Sequence, residues 1–218
     1  MADVSLALEA AYLVLCLCYP LASARRRTGS WALRLTPGAG AAIGGLFVAA
    51  NVAQAVPPIL AVLGVLPRIG ALDRRGIQVA GIAVGAATLS LIVWAQRAML
   101  ASWRIGVDPS EHTALVTGGP FRAVRNPIYL GAVTMALAIA MLIPNPTSLA
   151  VVGLFIVACE LQVRTVEEPY LIRTHRDDYL AWAAGTGRFV PRPGQLRRPG
   201  RQAHPPVASR PWGSTREG

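Results

Sequence analysis

The sequence predicts an all-α integral membrane protein: a helical bundle of about five transmembrane helices, with a C-terminal helical hairpin and a cytoplasmic C-terminal segment. Two observations support this class. Of the 218 residues, 53% are hydrophobic and only 15% are charged, whereas soluble domains carry about 25% charged residues. Apolar runs of roughly 20 residues, long enough to cross a bilayer as a helix, recur along the chain. These observations argue against a water-soluble enzyme and against a disordered chain.

Five apolar runs are the predicted spans, and they cover residues 4–24, 39–66, 77–95, 127–143 and 146–166. Pro57 and Pro58 predict a bend in the second span, and a broken or re-entrant segment is an open alternative there. Asn51 and Gln54 share one face of that span and are predicted to hydrogen-bond to another helix.

The formal charge of +10 comes from 21 basic residues, all of them Arg. Most lie near span ends, and the positive-inside rule then predicts an outside N-terminus and a cytoplasmic C-terminus. The expected location is the plasma membrane of a bacterial cell. The loop with Arg68, Arg74 and Arg75 would lie outside, against the rule.

Three regions are predicted. Residues 1–97 hold the N-terminal transmembrane helices, and residues 98–193 form the catalytic region of a cytoplasmic loop, the helical hairpin and a C-terminal segment. Residues 194–218 are a disordered tail rich in Arg and Pro. The chain from Pro191 onward has six Arg and one Glu, which suits anionic lipid headgroups better than nucleic acid. No nucleic-acid-binding motif accompanies these charges.

Metal chemistry is not expected. The three His residues and three Cys residues have no spacing that would make them joint ligands of a zinc ion.

A motif before the fourth span predicts an anion site. Asn126 is expected to cap the helix and Pro127 to occupy its first position, where no N–H is needed. The free N–H groups of the helix start, with Arg122 and Arg125 beside them, would bind a carboxylate or phosphate. The alternative is that both Arg residues are lipid-facing positive-inside anchors.

A stripe of acidic and basic residues lies at the end of the fifth span. Glu160 and Arg164 are four residues apart on a helix, and Glu167 or Glu168 continues the face. Adjacent glutamates point about 100° apart, so the two should have different partners. The alternative is an ion-pair ladder that satisfies itself. Pro169 is expected to end or bend the helix.

Taken together, the two motifs resemble the isoprenylcysteine carboxyl methyltransferase family and its phospholipid methyltransferase relatives. The resemblance runs from about Ser102 to Pro193. Its pattern is Leu-Val-Thr-x-Gly-Pro-Phe-x-x-x-Arg-Asn-Pro-x-Tyr-x-Gly from Leu115 to Gly131, then Glu-Glu-Pro-x-Leu, Tyr179 and Arg188-Phe189-x-Pro191.

The resemblance implies a membrane methyltransferase that uses S-adenosylmethionine, with a cofactor pocket between the last two spans and the C-terminal segment. Carried over to this chain, the cofactor-binding residues are Leu115, Val116, Thr117, Gly119, Pro120, Asn126, Tyr129, Gly131, Glu167 and Glu168. Where the eukaryotic enzymes of the family have His, this chain has Asn126, which cannot titrate.

The predicted catalytic residues are Arg125, Arg164 and Glu168. Either Arg would place a carboxylate, and Glu168 would serve as the base for an amine or thiol. The leading prediction is O-methylation of an isoprenoid, fatty or prenylcysteine-like carboxyl group in the bilayer. Methylation of a lipid amine or small thiol is the first alternative. A non-enzymatic transport or assembly subunit, in which the charged stripe conducts or pairs, is the second.

Overall fold

The computed structural model describes residues 1–29, 33–34, 39–99, 105–106 and 114–192. The predicted tail and the polar loop around residues 102–108, apart from the backbone of residues 105 and 106, lie outside the described residues. The helices are α1 (Ala2–Leu13), α2 (Tyr19–Thr28), α3 (Ala39–Val62), α4 (Arg75–Met99), α5 (Pro127–Leu142), α6 (Pro146–Leu161) and α7 (Glu168–Gly185). Two-residue strands β1 (Leu33–Arg34) and β2 (Ile105–Gly106) pair in parallel.

Two π-helical segments join neighbouring helices into longer rods. Val14–Cys18 connects α1 to α2, and Gln162–Glu167 connects α6 to α7. The second segment leads directly into α7, so the helix does not end at Pro169, and a bend at this residue stays a prediction. Pro169 stands in the first turn of α7. Since proline has no N–H to donate, the wider hydrogen-bonding pattern just before it lets the rod continue.

A change of direction in α7 occurs at Arg176. This residue has φ 43° and ψ −117° inside an otherwise helical segment. Such a backbone conformation is rare for a residue with a Cβ atom. The two halves of α7 therefore point in different directions, and the second half leads the chain back toward α5.

The membrane-crossing assignment is confirmed for the bundle as a whole. Four described helical stretches are long and apolar enough to cross a membrane: Ala2–Ser23, Gly40–Val62, Arg75–Met99 and Pro146–Gly185. The fourth predicted span, α5, has 16 residues and is about 24 Å long, shorter than the roughly 30 Å hydrocarbon core of a bilayer. The rod of α6 and α7 is continuous from Pro146 to the change of direction at Arg176, a length of about 45 Å that extends beyond that core.

The second span is a continuous helix, so the broken or re-entrant alternative is wrong. Pro57 and Pro58 both lie inside α3. The helix ends earlier than predicted, at Val62, because Gly64 adopts φ 72° and Val65 N donates to Leu60 O. A left-handed glycine just after the last turn is a common way to terminate a helix.

Small residues let α4 approach its neighbours closely. A Cβ atom added at Gly81 would lie 2.9 Å from Met141 Cβ and 3.0 Å from Ala138 O on α5, and one added at Gly85 would lie 2.8 Å from Leu8 on α1. The hydroxyl groups of Thr88 and Thr134 are 3.0 Å apart across the same α4–α5 contact. Close backbone packing through glycine, with hydroxyl hydrogen bonds, is typical of membrane helix pairs.

Polar side chains join α1 to α3, as predicted for Asn51 and Gln54. Tyr12 Oη donates to Asn51 Oδ1 at 2.9 Å, and Gln54 Nε2 donates to Glu9 Oε2 at 2.8 Å. All four side chains are buried. The partner Glu9 was not foreseen, although an acidic residue inside an apolar run is itself a signal of a buried polar contact.

We expect Gly81→Ala to lower the free energy of unfolding by about 1–3 kcal/mol, because the added methyl group meets the backbone oxygen of Ala138, which cannot move aside cheaply. Thermal unfolding in detergent measures this loss. Gly153→Ala on α6 is the matched control, since its Cβ would meet nothing within 4 Å. Equal melting temperatures for both variants would contradict the close α4–α5 packing.

Candidate active site

The segment before α5 forms a tight turn that faces α4. Residues Gly119–Arg122 form a 3-10 helix, in which Pro120 and Phe121 are buried. Gly119 has φ 58°, and a Cβ atom there would lie 3.3 Å from Ala98 Cβ. A glycine is therefore needed for both conformation and space. Leu115, Val116 and Thr117, half-buried, lead into this turn.

The same segment pairs with the end of the chain that follows α7. Arg125 N donates to Gly187 O at 2.8 Å, and Asn126 N donates to Arg188 O at 3.2 Å. Val124 and Gly187 form a parallel bridge. These bonds hold the C-terminal segment against the start of α5.

Asn126 occupies the predicted N-cap position, but its predicted capping hydrogen bond is absent. Its Nδ2 atom donates to Arg188 O at 3.1 Å instead. The competing interaction explains the difference, because the backbone carbonyl of Arg188 lies within reach of the amide. Asn126 thus helps to fix the C-terminal segment.

Glu168 is the centre of an ion cluster formed by three separate parts of the chain. Arg188 binds it with two hydrogen bonds, Nε to Oε1 at 2.8 Å and Nη2 to Oε2 at 2.7 Å. Arg125 Nη1 lies 3.0 Å from Oε1 and also donates to Tyr179 Oη at 3.2 Å. The Arg125 and Glu168 side chains are only 11% and 13% exposed, so the cluster is largely shielded from solvent.

The turn at Gly187 brings Arg188 into this cluster. A Cβ atom at Gly187 would lie 1.8 Å from Val190 O, so the turn requires glycine. The hydrogen bonds from Arg188 to the Glu168 carboxylate raise the pKa of the Arg188 guanidinium above its usual value. Both charges are therefore stabilised where they meet.

Glu167 has a different environment from its neighbour. Tyr129 Oη donates a hydrogen bond to Glu167 Oε1, and the Gln162 side chain also interacts with both groups. The Phe47 ring packs edge-on against Tyr129, with centroids 5.2 Å apart. The prediction that the two glutamates have different partners is confirmed.

The ion pair predicted between Glu160 and Arg164 is also present. Their side chains are 37% and 56% exposed, and Arg164 binds Glu160 rather than entering the Glu168 cluster.

Gly131 lies on the α4 side of α5, where a Cβ atom would be 2.4 Å from Ile92 Cγ1. Its position explains why glycine is required for packing, and cofactor contact by Gly131 stays a prediction.

The sequence did not predict roles for Arg188, Tyr179 or Gln162. Tyr179 and Arg188 stand in the quoted pattern, and Gln162 lies between Glu160 and Arg164. Their contacts depend on the fold of the C-terminal segment and on the helical rod. Within the described residues, no group of three or more His, Cys, Asp or Glu side chains could hold a metal ion.

Residues 77–178 match the model of the phospholipid methyltransferase family. The match includes Arg125, Asn126, Tyr129, Glu167 and Glu168 but ends before Tyr179 and Arg188. It confirms the resemblance to this group of membrane methyltransferases and supports methyl transfer as the activity. No curated protein and no solved structure matches the chain.

Glu168→Gln should lower the free energy of unfolding by about 1–3 kcal/mol, since two partly buried guanidinium groups lose their anionic partner. Glu160→Gln removes a carboxylate from an exposed pair on the same rod and should cost less than about 1 kcal/mol. Urea or thermal unfolding of both variants in detergent provides the comparison. A loss for Glu160→Gln as large as for Glu168→Gln would contradict the buried cluster.

Proposed function

We propose that this chain, whose residues 77–178 match the model of the phospholipid methyltransferase family, transfers a methyl group from S-adenosylmethionine to a lipophilic acceptor in the membrane. The observation that carries the proposal is the meeting of Arg125, Glu168 and Arg188 at one end of an apolar bundle, beside Glu167 and Tyr129. A purely structural bundle would not need this concentration of buried charge.

The residues at the site fit the cofactor. S-adenosylmethionine carries a carboxylate, an ammonium group and a sulfonium centre, and it supplies the methyl group to be transferred. Arg125 Nε is buried and has no hydrogen-bond partner among the described atoms, so it is a donor suited to a carboxylate. Glu167, on the other side of Tyr129, is an acidic group suited to a cation.

The chain's own contribution is placement and exclusion of water. Glu168 holds Arg125 and Arg188 in fixed positions, and the backbone bonds from Arg125 and Asn126 keep the C-terminal segment closed over them. Fixed dipoles and charges in a site with little water stabilise a transition state without reorganising during the reaction. An acceptor that already bears a negative charge needs only orientation, whereas an amine or thiol must lose a proton.

The acceptor was predicted first as a carboxylate. That prediction relied on Arg125 or Arg164 to bind it, and O-methylation of a carboxyl group stays a proposal. The geometry supports Arg125 over Arg164 in this role, because Arg125 lies in the cluster and Arg164 binds the exposed Glu160.

Labelled S-adenosylmethionine tests the function directly. We expect the protein in lipid nanodiscs to bind the cofactor at micromolar concentrations and to transfer label to a component of a membrane lipid extract. Arg125→Ala and Glu168→Gln should each reduce transfer on the order of 100-fold, the usual effect of removing one preorganised charged group.

Arg68→Gln is the control for that experiment. Arg68 pairs with Asp73 at 3.2 Å in the loop between α3 and α4, at the opposite end of the bundle, so the variant should keep wild-type transfer. Absence of cofactor binding by the wild-type protein would refute the methyltransferase proposal. Wild-type turnover by both site variants would refute the assignment of the residues.

We also propose that the site faces the cytoplasm. The site end of the described helices carries Arg25, Arg26, Arg97, Arg122 and Arg125, while Asp73 pairs with Arg68 in the opposite loop and reduces its net charge. This pairing lessens the conflict of that loop with the positive-inside rule.

Reporter fusions measure this orientation. Alkaline phosphatase inserted after Gly70 should be active, and a fluorescent protein fused after Gly218 should fluoresce in the cytoplasm. The reversed pattern would place the site on the outer side of the membrane.

A further inference from the structure

Glu9 is an acidic residue inside the first membrane-crossing stretch, Ala2–Ser23, and only 1% of its surface is exposed. Its partner on α3 is the buried Gln54, whose Nε2 atom donates to Glu9 Oε2 at 2.8 Å. The other oxygen of each side chain, Glu9 Oε1 and Gln54 Oε1, is buried and has no hydrogen-bond partner among the described atoms. Because such atoms are costly and rare in folded proteins, two of them on one pair of side chains indicate that something binds there.

The polar groups beside this pair do not supply the missing hydrogen bonds. Ser5 Oγ donates to Ala2 O, and Tyr12 Oη donates to Asn51 Oδ1. A hydroxyl group has one hydrogen to donate, so both of these hydroxyl groups are already used. Since the two unpartnered atoms of the pair are oxygens, what the pair lacks is a donor hydrogen.

No described cation lies close enough to balance a negative charge on Glu9. The helices packed against α1 are α3, α4 and α5, and α3 and α5 contain no Arg, Lys or His. On α4, Gly85 packs against Leu8, the neighbour of Glu9. Gly85 is ten residues from Arg75 and twelve from Arg97, about 15 and 18 Å along the helix, so neither guanidinium group pairs with Glu9.

The titratable groups nearer to Glu9 do not offset a negative charge either. Tyr12 and Cys16 interact electrostatically with it, but a phenol and a thiol are neutral at neutral pH. On α1 itself, the amino group of Met1 and the exposed Asp3 are eight and six residues away, about 12 and 9 Å along the helix. In such apolar surroundings an isolated carboxylate is much less stable than the neutral acid.

We propose that Glu9 and Gln54 form a proton-binding site inside the membrane, in which Glu9 holds a proton at neutral pH and shares it with Gln54. The proton comes from water and forms an O–H bond on Glu9 Oε1, which then donates to Gln54 Oε1. One hydrogen thus gives a partner to both unpartnered oxygens. Together with the bond from Gln54 Nε2, it closes a ring of two hydrogen bonds between an acid and an amide.

A metal cation fits these two residues less well than a proton does. A calcium ion, for example, takes about six to eight oxygen ligands, whereas the pair offers two oxygens without a partner. The second carboxylate oxygen of Glu9 already accepts from Gln54, and Asn51 Oδ1 already accepts from Tyr12. A proton needs only one atom to carry it and one to accept the hydrogen bond, and the pair provides both.

The bound proton joins α1 to α3, because an ionised Glu9 would leave two acceptor oxygens facing each other without a hydrogen between them. On α3, Asn51 lies one turn before Gln54, and its Nδ2 atom donates to Phe47 O. The Phe47 ring in turn packs against Tyr129 in the candidate active site. The proton-binding site and the active site therefore contact the same helix. The inference goes beyond the proposed function, since both residues of the pair lie outside residues 77–178.

Infrared spectroscopy of the full chain in nanodiscs at neutral pH tests the protonation state, because a protonated carboxyl group has a carbonyl band that a carboxylate lacks. We expect Glu9→Gln to lose the intensity of one carboxyl group in the difference spectrum against the wild type. Asp3→Asn is the matched control on the same helix. Asp3 is exposed and therefore ionised, so this variant should keep the whole band. An unchanged band in Glu9→Gln would overturn the proposal.

Thermal unfolding tests the pairing of the acid with the amide. Glu9→Gln should melt as the wild type does, because the introduced NH₂ group can donate to Gln54 Oε1 in place of the acid. Gln54→Leu removes both partners of the acid and should lower the melting temperature by at least about 3 °C. A melting temperature unchanged in Gln54→Leu would overturn the paired arrangement. If Gln54→Leu does not fold, the carbonyl band of Glu9→Gln still decides the proposal.

Two further outcomes would also overturn it. If the wild type, but not Glu9→Gln, melted at a higher temperature in sodium chloride than in choline chloride, the pair would bind a metal cation. If Glu9→Gln melted above the wild type and kept the whole carbonyl band, Glu9 would be ionised beside a buried water. None of these measurements uses S-adenosylmethionine, so failure of this proposal and failure of the proposed function are distinguishable.

Discussion

The carboxylate of Glu168 is the interaction on which the arrangement of the site depends. It binds guanidinium groups from the segment before α5 and from the segment after α7, so three distant parts of the chain meet at one anion. Without it, Arg125 and Arg188 would repel each other in a partly buried space. The backbone bonds from Arg125 to Gly187 and from Asn126 to Arg188 hold the same C-terminal segment in place, so they and the ion pairs of Glu168 support one another.

Glu167 and Glu168 are adjacent in sequence, but their side chains point about 100° apart around the helix. The two carboxylates therefore have different partners. The Glu168 carboxylate binds the guanidinium groups of Arg125 and Arg188, whereas the Glu167 carboxylate accepts a hydrogen bond from the Tyr129 hydroxyl and lies beside the Gln162 amide. The site is therefore bipolar, with donors on one side of Tyr129 and acceptors on the other. Such a site suits a zwitterionic or cationic ligand better than a simple anion.

Much of the fold could be predicted from the sequence because apolar runs of bilayer length have few alternative structures. The helix ends were less predictable. Gly64 ends α3 through a left-handed turn, and the helix continues through Pro169 after a π-helical segment. For the site, the Glu160–Arg164 pair followed from helical spacing alone. The partner of Asn126 did not, because the carbonyl of Arg188 is 62 residues away in sequence. A contact with a segment that comes from far along the chain leaves no local pattern in the sequence around either residue.

The shortness of α5 has a consequence for the depth of the site. A helix of about 24 Å is shorter than the roughly 30 Å hydrocarbon layer, and most of its surface contacts neighbouring helices rather than lipid. Because the functional residues lie at the start of this helix, they lie closer to the middle of the bilayer than they would at the start of a helix of full bilayer length. Under the proposed function, the water-soluble donor has to enter the bundle to that depth, while an oily acceptor reaches it from among the lipid chains.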